Sequence, residues 1–378
     1  MPRTPFANPL VINALVLLGT ALGCAHSTEP CVPLAAPTAT AVPATAAPLA
    51  ATVTVPAAVQ PVVALASWRD GVAKQRIQSF VQEVGDAASA HYLPPEQRIA
   101  VFDNDGTLWS EQPLYFQFIF AVERVRGLLD KDPVLAKKPW AEGLKKDGLK
   151  AHLDEKALIE IVTASEAGVS TDEFRELVRS WLSEARHPKL ARPFTELTFL
   201  PMLELLGFLR QNGFKVYIVS GGSVQFMRAF AALVYGVPPE QVIGSAMDTK
   251  YQFQNGKAEL VALPKLGFLD DGSGKAVAID RIIGKRPVFI AGNSDGDFEM
   301  LEYGTSTNRP SLGLIVHHDD EVREFAYDRQ SHVGKLDRAL SEAPAKHWLV
   351  VSMKSDFAEV YAPSTRAAVP VVSPVAGP

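Results

Sequence analysis

Two aspartates separated by one residue, Asp103 and Asp105, stand at the end of a short apolar run, Arg98 to Phe102, and are followed at once by Gly106 and Thr107. A carboxylate at the tip of a buried strand can serve as a nucleophile, and one two positions on lies near enough to give and take a proton. The substrate that would also use the other polar clusters of the chain is a phosphate ester. Its phosphoryl group is anionic, so an attacking carboxylate is repelled unless cations neutralise the site. Lys275, opening a helix, supplies a fixed positive charge. The run Gly292-Asn293-Ser294-Asp295-Gly296-Asp297 offers Asn293 and Asp297 as oxygen ligands which, with Asp103 and Asp105, suit a hard ion such as Mg2+. Ser220, the amides of Gly221 and Gly222, and Thr107 (which also caps the turn) are donors for phosphoryl oxygens. Asp105 acting as the acid needs a pKa above the usual ~4, which a crowd of carboxylates favours.

These groups need strand ends to hold them. Arg98–Phe102, Lys215–Val219, Val242–Met247, Pro287–Ala291 and Leu312–Val316 are short apolar runs that predict strands. Helical spacing covers Ser67 to about Ala90, Met202–Asn212 and Ala276–Ile283, and Asn255-Gly256 predicts a hairpin over Tyr251–Val261. Alternation of this kind predicts an α/β fold with a doubly wound parallel sheet, whose ligands sit at the carboxyl ends of the strands. The segment from about Pro113 to Leu190 is helical in pattern, with a helix start at Ser170-Thr171-Asp172-Glu173. It falls between the first and second strands and reads as an inserted lid.

Size and composition agree with one large domain or a domain with an inserted lobe: 378 residues, 47% hydrophobic, 21% charged. A net charge of −5 does not suggest a nucleic-acid surface. Both cysteines, Cys24 and Cys31, precede the folded part, so any metal there is held by oxygen or histidine. Leu10–Gly23 behind Arg3 has the length of an export signal rather than a membrane span. Ala21-Leu22-Gly23-Cys24 resembles a bacterial lipobox with its first two residues exchanged. The expectation is export to the periplasm or outer membrane, with the chain lipid-anchored at Cys24. Residues 25–66, rich in Ala, Pro and Thr, read as a tether, and 362–378 as a flexible tail.

The polar clusters resemble the haloacid dehalogenase superfamily, in its phosphatase branch. Asp103-Asn104-Asp105-Gly106-Thr107 matches that family's first motif and Tyr217-Ile218-Val219-Ser220-Gly221-Gly222 its second. Lys275, with Lys265 and Lys257 as alternatives, matches the third, and Gly292 to Asp297 the fourth. The resemblance covers about Arg98 to Leu340. It implies a Rossmann-like core over 67–110 and 194–350, Mg2+ as cofactor, and a helical cap over 111–193 like that of phosphoserine-phosphatase-like members. It implies an aspartyl-phosphate on Asp103, a small phosphomonoester as substrate, no nucleic-acid partner, and the membrane touched only through the anchor. Asp105 separates the chain from the dehalogenase and ATPase branches. One departure stands out: Asn293 occupies a position where the family has Asp, which leaves open an exported, non-catalytic binding lipoprotein. A phosphomutase would keep the same residues. Asp297 falls where the family's second acidic residue belongs, with Asp295 as the alternative.

Other motifs have plainer readings. Neither acidic loop has the Gly and Glu spacing of a calcium-binding EF-hand. Gly272-Ser273-Gly274-Lys275 lacks the leading Gly and the trailing Ser/Thr of a P-loop. His317-His318-Asp319-Asp320 alternates across a strand end and reads as structural. Trp109, Glu111 and Tyr115 follow the catalytic loop as candidates to line the substrate pocket, with the cap core as the alternative for Trp109 and Tyr115.

Overall fold

A strand buried on both faces carries an unbroken apolar sequence, and Ile99–Phe102 is such a strand, with all four residues buried. The computed structural model of the chain describes residues 65–151 and 155–363, the side chains of 150 and 155 excepted. The expected export signal, Cys24, and all but the last two residues of the tether lie outside the described residues, as does the tail beyond 363. Among the described residues no helix is long and apolar enough to cross a membrane.

In chain order the strands are β1 (Ile99–Phe102), β2 (Lys215–Ser223), β3 (Val242–Gln254), β4 (Lys257–Phe268), β5 (Phe289–Gly292), β6 (Leu312–Asp319), β7 (Ala326–Tyr327) and β8 (Leu349–Ser352). They form one sheet in the order β4-β3-β2-β1-β5-β6-β7, with β8 also paired to β6. The pairings β3-β2-β1-β5-β6-β8 are all parallel. β4 returns antiparallel along β3. The predicted Rossmann-like, doubly wound core is therefore present, with β1 at its centre.

Alternate residues of β1 divide two helical layers. Ala100 and Phe102 face a cluster with Ile77, Phe80 and Val81 of helix Val72–Gly85 and Leu205 and Leu209 of helix Leu200–Gln211. Ile99 and Val101 face Ala278 and Ile279 of helix Ser273–Ile283 and Met300 and Leu301 of helix Phe298–Thr305. Between β1 and β2 come the helices Phe116–Leu128, Ala141–Asp147 and Glu155–Glu166, which share an apolar cluster around Val122, Trp140, Leu144 and Ile161, and the helix Thr171–Glu184, whose Phe174, Val178 and Leu182 join the same cluster as Ala100 and Phe102. Ser170 starts the last of them as expected, its hydroxyl accepting from the Glu173 amide at 3.2 Å.

Aromatic side chains join cap to core: Trp181 stacks on Phe194 with centroids 4.9 Å apart, and Phe116 meets the same ring at 4.5 Å. The β3–β4 hairpin is a second join that the sequence did not suggest. Its Ala262 exchanges backbone hydrogen bonds with Gly168 and Val169, at 2.9 and 3.0 Å. The hairpin turns at Asn255-Gly256, both with positive φ, as predicted. Two boundaries differ from expectation. The packed core runs past residue 350 through β8 to the buried Phe357 and Val360. The first helix begins only at Val72, because Trp68 instead bridges to Phe357.

Candidate active site

The carboxyl ends of β1, β2 and β5 open side by side, and each delivers polar residues to one buried place. Asp103 extends β1 by one more ladder bond, its amide donating to the Ala291 carbonyl at 2.9 Å. The chain then turns tightly: the amides of Thr107, Leu108 and Trp109 converge on the Asn104 carbonyl, and Gly106 donates back to the Trp109 carbonyl at 2.8 Å. Gly106 has φ +73°, and a Cβ there would lie 2.1 Å from Asn293 Nδ2 and 2.3 Å from Glu111 Oε1. Both the conformation and the space call for glycine.

Lys275 enters from the helix on the opposite layer and is 2% exposed. Its ammonium donates to Asp103 Oδ1 and to Asp297 Oδ1, each at 2.6 Å. Burial alone would lower the Lys275 pKa, but the two carboxylates outweigh it and hold the lysine charged. Burial, then the charge of Asp297, pushes the Asp103 carboxyl upward against the pull of Lys275. Asp297 is spent in full: its Oδ2 accepts from the amides of Asn293 and Ser294, both at 3.0 Å, and from the Ser294 hydroxyl. Asp295 points elsewhere, to the start of the helix Arg338–Glu342, accepting from the amides of Asp337 and Ala339. Of the two candidates, Asp297 is the one beside Asp103 and Lys275.

Asp105 is steered by Trp109, whose indole N–H donates to its Oδ1 at 2.8 Å. Burial raises its pKa, with the Trp109 hydrogen bond pulling the other way. The Thr107 hydroxyl lies 3.0 Å from Asn293 Oδ1 and 3.4 Å from Asp103 Oδ2, so these two oxygens converge on one point. Ser220 ends the regular part of β2 and its hydroxyl accepts from the Gly222 amide at 3.1 Å. Gly221 is held by its carbonyl, which accepts from Ser245 at 2.8 Å. The cap reaches this loop through Gln117, whose amide oxygen accepts from the Ser223 amide at 2.7 Å.

Thus Asp103, Asp105, Thr107, Ser220, Gly221, Lys275, Asn293 and Asp297 gather at one end of the sheet. Lys265 and Lys257 do not, being paired on the exposed hairpin with Asp248 and Glu259. His317 and His318 diverge as expected: His317 meets Asp328, whereas His318 donates from Nε2 to the Gly106 carbonyl and meets Glu324 through Nδ1. Among the described residues no three His, Cys, Asp or Glu side chains converge to hold a metal. Of the four residues expected as ligands, Asp105 is tied to Trp109 and Asp297 to Lys275 and its own loop, which leaves Asp103 and Asn293 as the pair that could offer oxygens to a hard cation.

Two further buried acids stand at the site, Glu111, which the sequence offered as a pocket residue, and Asp270, which it did not single out. Asp270 lies fully buried next to the Ser220–Gly221 backbone, and burial pushes it up to about 7. Glu111 accepts from Asn293 Nδ2 at 2.7 Å and from the Tyr327 hydroxyl at 2.8 Å, and burial pushes it up to about 8. Proximity to the motif flagged Glu111; nothing local marks Asp270. Tyr115 faces the same loop, its hydroxyl accepting from the Gly334 amide, and Trp109 packs between Phe116 and Phe230.

A family model described as haloacid dehalogenase-like hydrolase matches residues 100–302, more than half of the chain. No curated protein matches. Among solved structures, a conserved protein of unknown function from Anaerococcus prevotii is 20% identical, with 65% of this chain and 86% of that one covered at a TM-score of 0.46. A protein of unknown function from Bordetella pertussis is 16% identical, covering 68% and 98% at 0.43. A phosphoserine phosphohydrolase-like protein from Francisella tularensis is 18% identical, covering 66% and 98% at 0.30.

Proposed function

We propose that this chain, which belongs to the haloacid dehalogenase-like hydrolase family, is a Mg2+-dependent phosphatase that hydrolyses a small phosphomonoester through an aspartyl-phosphate on Asp103. The observation that carries the reading is the buried Asp103–Lys275–Asp297 cluster, which sets a charged ammonium 2.6 Å from the proposed nucleophile.

In the first half-reaction an Asp103 carboxylate oxygen attacks phosphorus and the bond from phosphorus to the ester oxygen breaks. Protonated Asp105 gives its proton to that leaving oxygen, a role its burial-raised pKa favours. In the second, Asp105 takes a proton from a water whose oxygen attacks phosphorus; the bond to Asp103 breaks and phosphate leaves. Ser220 and the Gly221 amide hold the phosphoryl oxygens, with the Gly222 amide fixing the Ser220 hydroxyl, and Lys275 offsets their charge. Asp103 and Asn293 would hold the cation, which when bound would supply positive charge against the repulsion between carboxylate and phosphate. The low exposure of Asp103, Lys275 and Asp297 supports a reaction shielded from bulk water.

The test is an assay of the purified protein against a panel of phosphomonoesters, with and without Mg2+. Magnesium-dependent release of phosphate from at least one is the expected result, blocked by beryllium fluoride, which with magnesium mimics phosphorylated Asp103. A folded protein that releases none and does not respond to beryllium fluoride with magnesium points to a binding module. We propose further that the protein is exported and anchored through a lipid on Cys24, so that Cys24→Ala shifts it from the membrane fraction to the soluble one.

A further inference from the structure

The departure at Asn293 has a partner in the structure. Its side chain is used at both ends: Nδ2 donates to Glu111 Oε1 at 2.7 Å, and Oδ1 accepts from the Thr107 hydroxyl. A carboxylate on one side and a hydroxyl donor on the other can both be satisfied by one amide, and by no carboxylate. We propose that Glu111 is a positioning residue of the site, which orients the Asn293 amide so that its oxygen faces Asp103 and the cation. The inference rests on the metal-dependent reading above and deepens it.

The place of Glu111 is built rather than incidental. Its Oε1 also accepts from the Tyr327 hydroxyl at 2.8 Å, and the residue is 1% exposed. Two glycines with positive φ make room for that one oxygen: a Cβ on Gly106 would lie 2.3 Å from it, and one on Gly334 would lie 1.9 Å from it. Behind the loop, the His318 ring bonds the Gly106 carbonyl at 2.7 Å and Glu324 at 3.2 Å. Segments far apart in sequence thus close around a carboxylate whose contact with the proposed ligand set is Asn293. Partners of this kind orient a metal ligand, and their loss commonly weakens metal binding. The same geometry explains why asparagine stands at 293. An aspartate there would set a second carboxyl oxygen against Glu111 in a buried place, where the two could meet only by sharing a proton, whereas the asparagine N–H supplies the donor outright.

The test uses the full chain and reads pairing and metal binding separately from turnover. Urea midpoints are measured without metal for the unaltered protein, Asn293→Asp, Glu111→Gln and the double variant. Asn293→Asp is expected to lower the midpoint, and Glu111→Gln added to it to restore the midpoint, because a glutamine amide can donate to Asp at 293. Calorimetric titration with Mg2+ is then expected to show Glu111→Ala binding about ten- to a hundredfold more weakly. Glu111→Gln, whose amide oxygen accepts the same Asn293 N–H, stays close to the unaltered protein. A merely structural Glu111 would give additive midpoints and an unchanged Mg2+ affinity in Glu111→Ala, and either result overturns the inference. If the unaltered protein binds Mg2+ and releases phosphate while the cycle is additive, this inference alone fails. If it binds no Mg2+, the metal-dependent reading fails and takes the inference with it.

Discussion

Buried carboxylates on the two sides of the cap–core join live under opposite conditions. On the core side, Asp103 and Asp297 share the Lys275 ammonium at 2.6 Å, and Asp297 takes three further donors from its own loop. On the cap side, Glu166 ends the helix Glu155–Glu166, is 3% exposed, and has one oxygen with no hydrogen-bond partner. Burial pushes the Glu166 carboxyl up to about 7, against the pull of the Ser223 hydroxyl. A buried charge is retained where a counter-charge and donors surround it, and otherwise the group gives up its charge. The contrast teaches that charge is concentrated at the strand ends, where the proposed chemistry needs it, and neutralised in the seam above.

The sharpest way to break the comparison is to remove the nucleophile. Asp103→Asn keeps the shape and an acceptor for Lys275, so the fold should persist while turnover falls on the order of 10^4-fold or more. Steady-state assays with circular dichroism check both halves; wild-type rates would sink the mechanism.

Removing the shared cation comes next. Lys275→Met leaves two carboxylates buried without their ammonium and should cost about 3–5 kcal/mol of stability in urea melts. Adding Asp103→Asn should return part of that loss; a pair of melts that simply add would show that Lys275 does not hold the cluster together.

The unpaired acid should respond with the opposite sign. Glu166 is neutral both folded and unfolded well below pH 4.5, so it costs nothing there. Its folded pKa of about 7 lies above the ordinary 4.5, so stability is lost as pH rises between the two values. Above pH 7 the buried carboxylate costs up to about 3 kcal/mol. Glu166→Gln is therefore expected to be more stable than the unaltered protein at pH 8, with the gain shrinking to nothing toward pH 4.5. A difference that does not vary with pH would place the Glu166 charge in a solvated setting instead.

The smallest effect belongs to the cap alone. Ser170→Ala removes the hydroxyl that accepts from Glu173 and should cost about 1 kcal/mol. Turnover should be unmoved if that helix only covers the site, and a change in KM without a change in stability would tie the helix start to substrate entry.

Local signals were legible where a few neighbouring residues dictate the outcome. The apolar run of β1, the Asn255-Gly256 turn and the Ser170 cap each carry their instruction within four or five residues. β8 was missed because Leu349–Ser352 is a brief run whose strand character comes from parallel pairing with β6. That the predicted strand Val242–Met247 runs straight into the first arm of the predicted hairpin was missed because the intervening Asp248–Lys250 is polar, and its pairing with β4 makes the whole of β3 one strand. Asp103, Ser220, Lys275 and Asp297 could be picked out by their order and their positions at predicted strand and helix ends. Which acidic residue of the last loop turns inward could not, because Asp295 and Asp297 differ only in what the fold sets opposite them.

By itself the sequence determined the central strands and main helices, the parallel class of their sheet, and the set of residues able to do phosphoryl chemistry, since each depends on periodicity, turn residues and side-chain type. Tertiary structure alone decided that Lys275 serves two carboxylates, that the β3–β4 hairpin braces the cap, and that Glu111 grips Asn293. Those contacts join residues up to 182 positions apart. Their energies depend on burial and on distances of a few ångströms, quantities that exist only once the chain has closed.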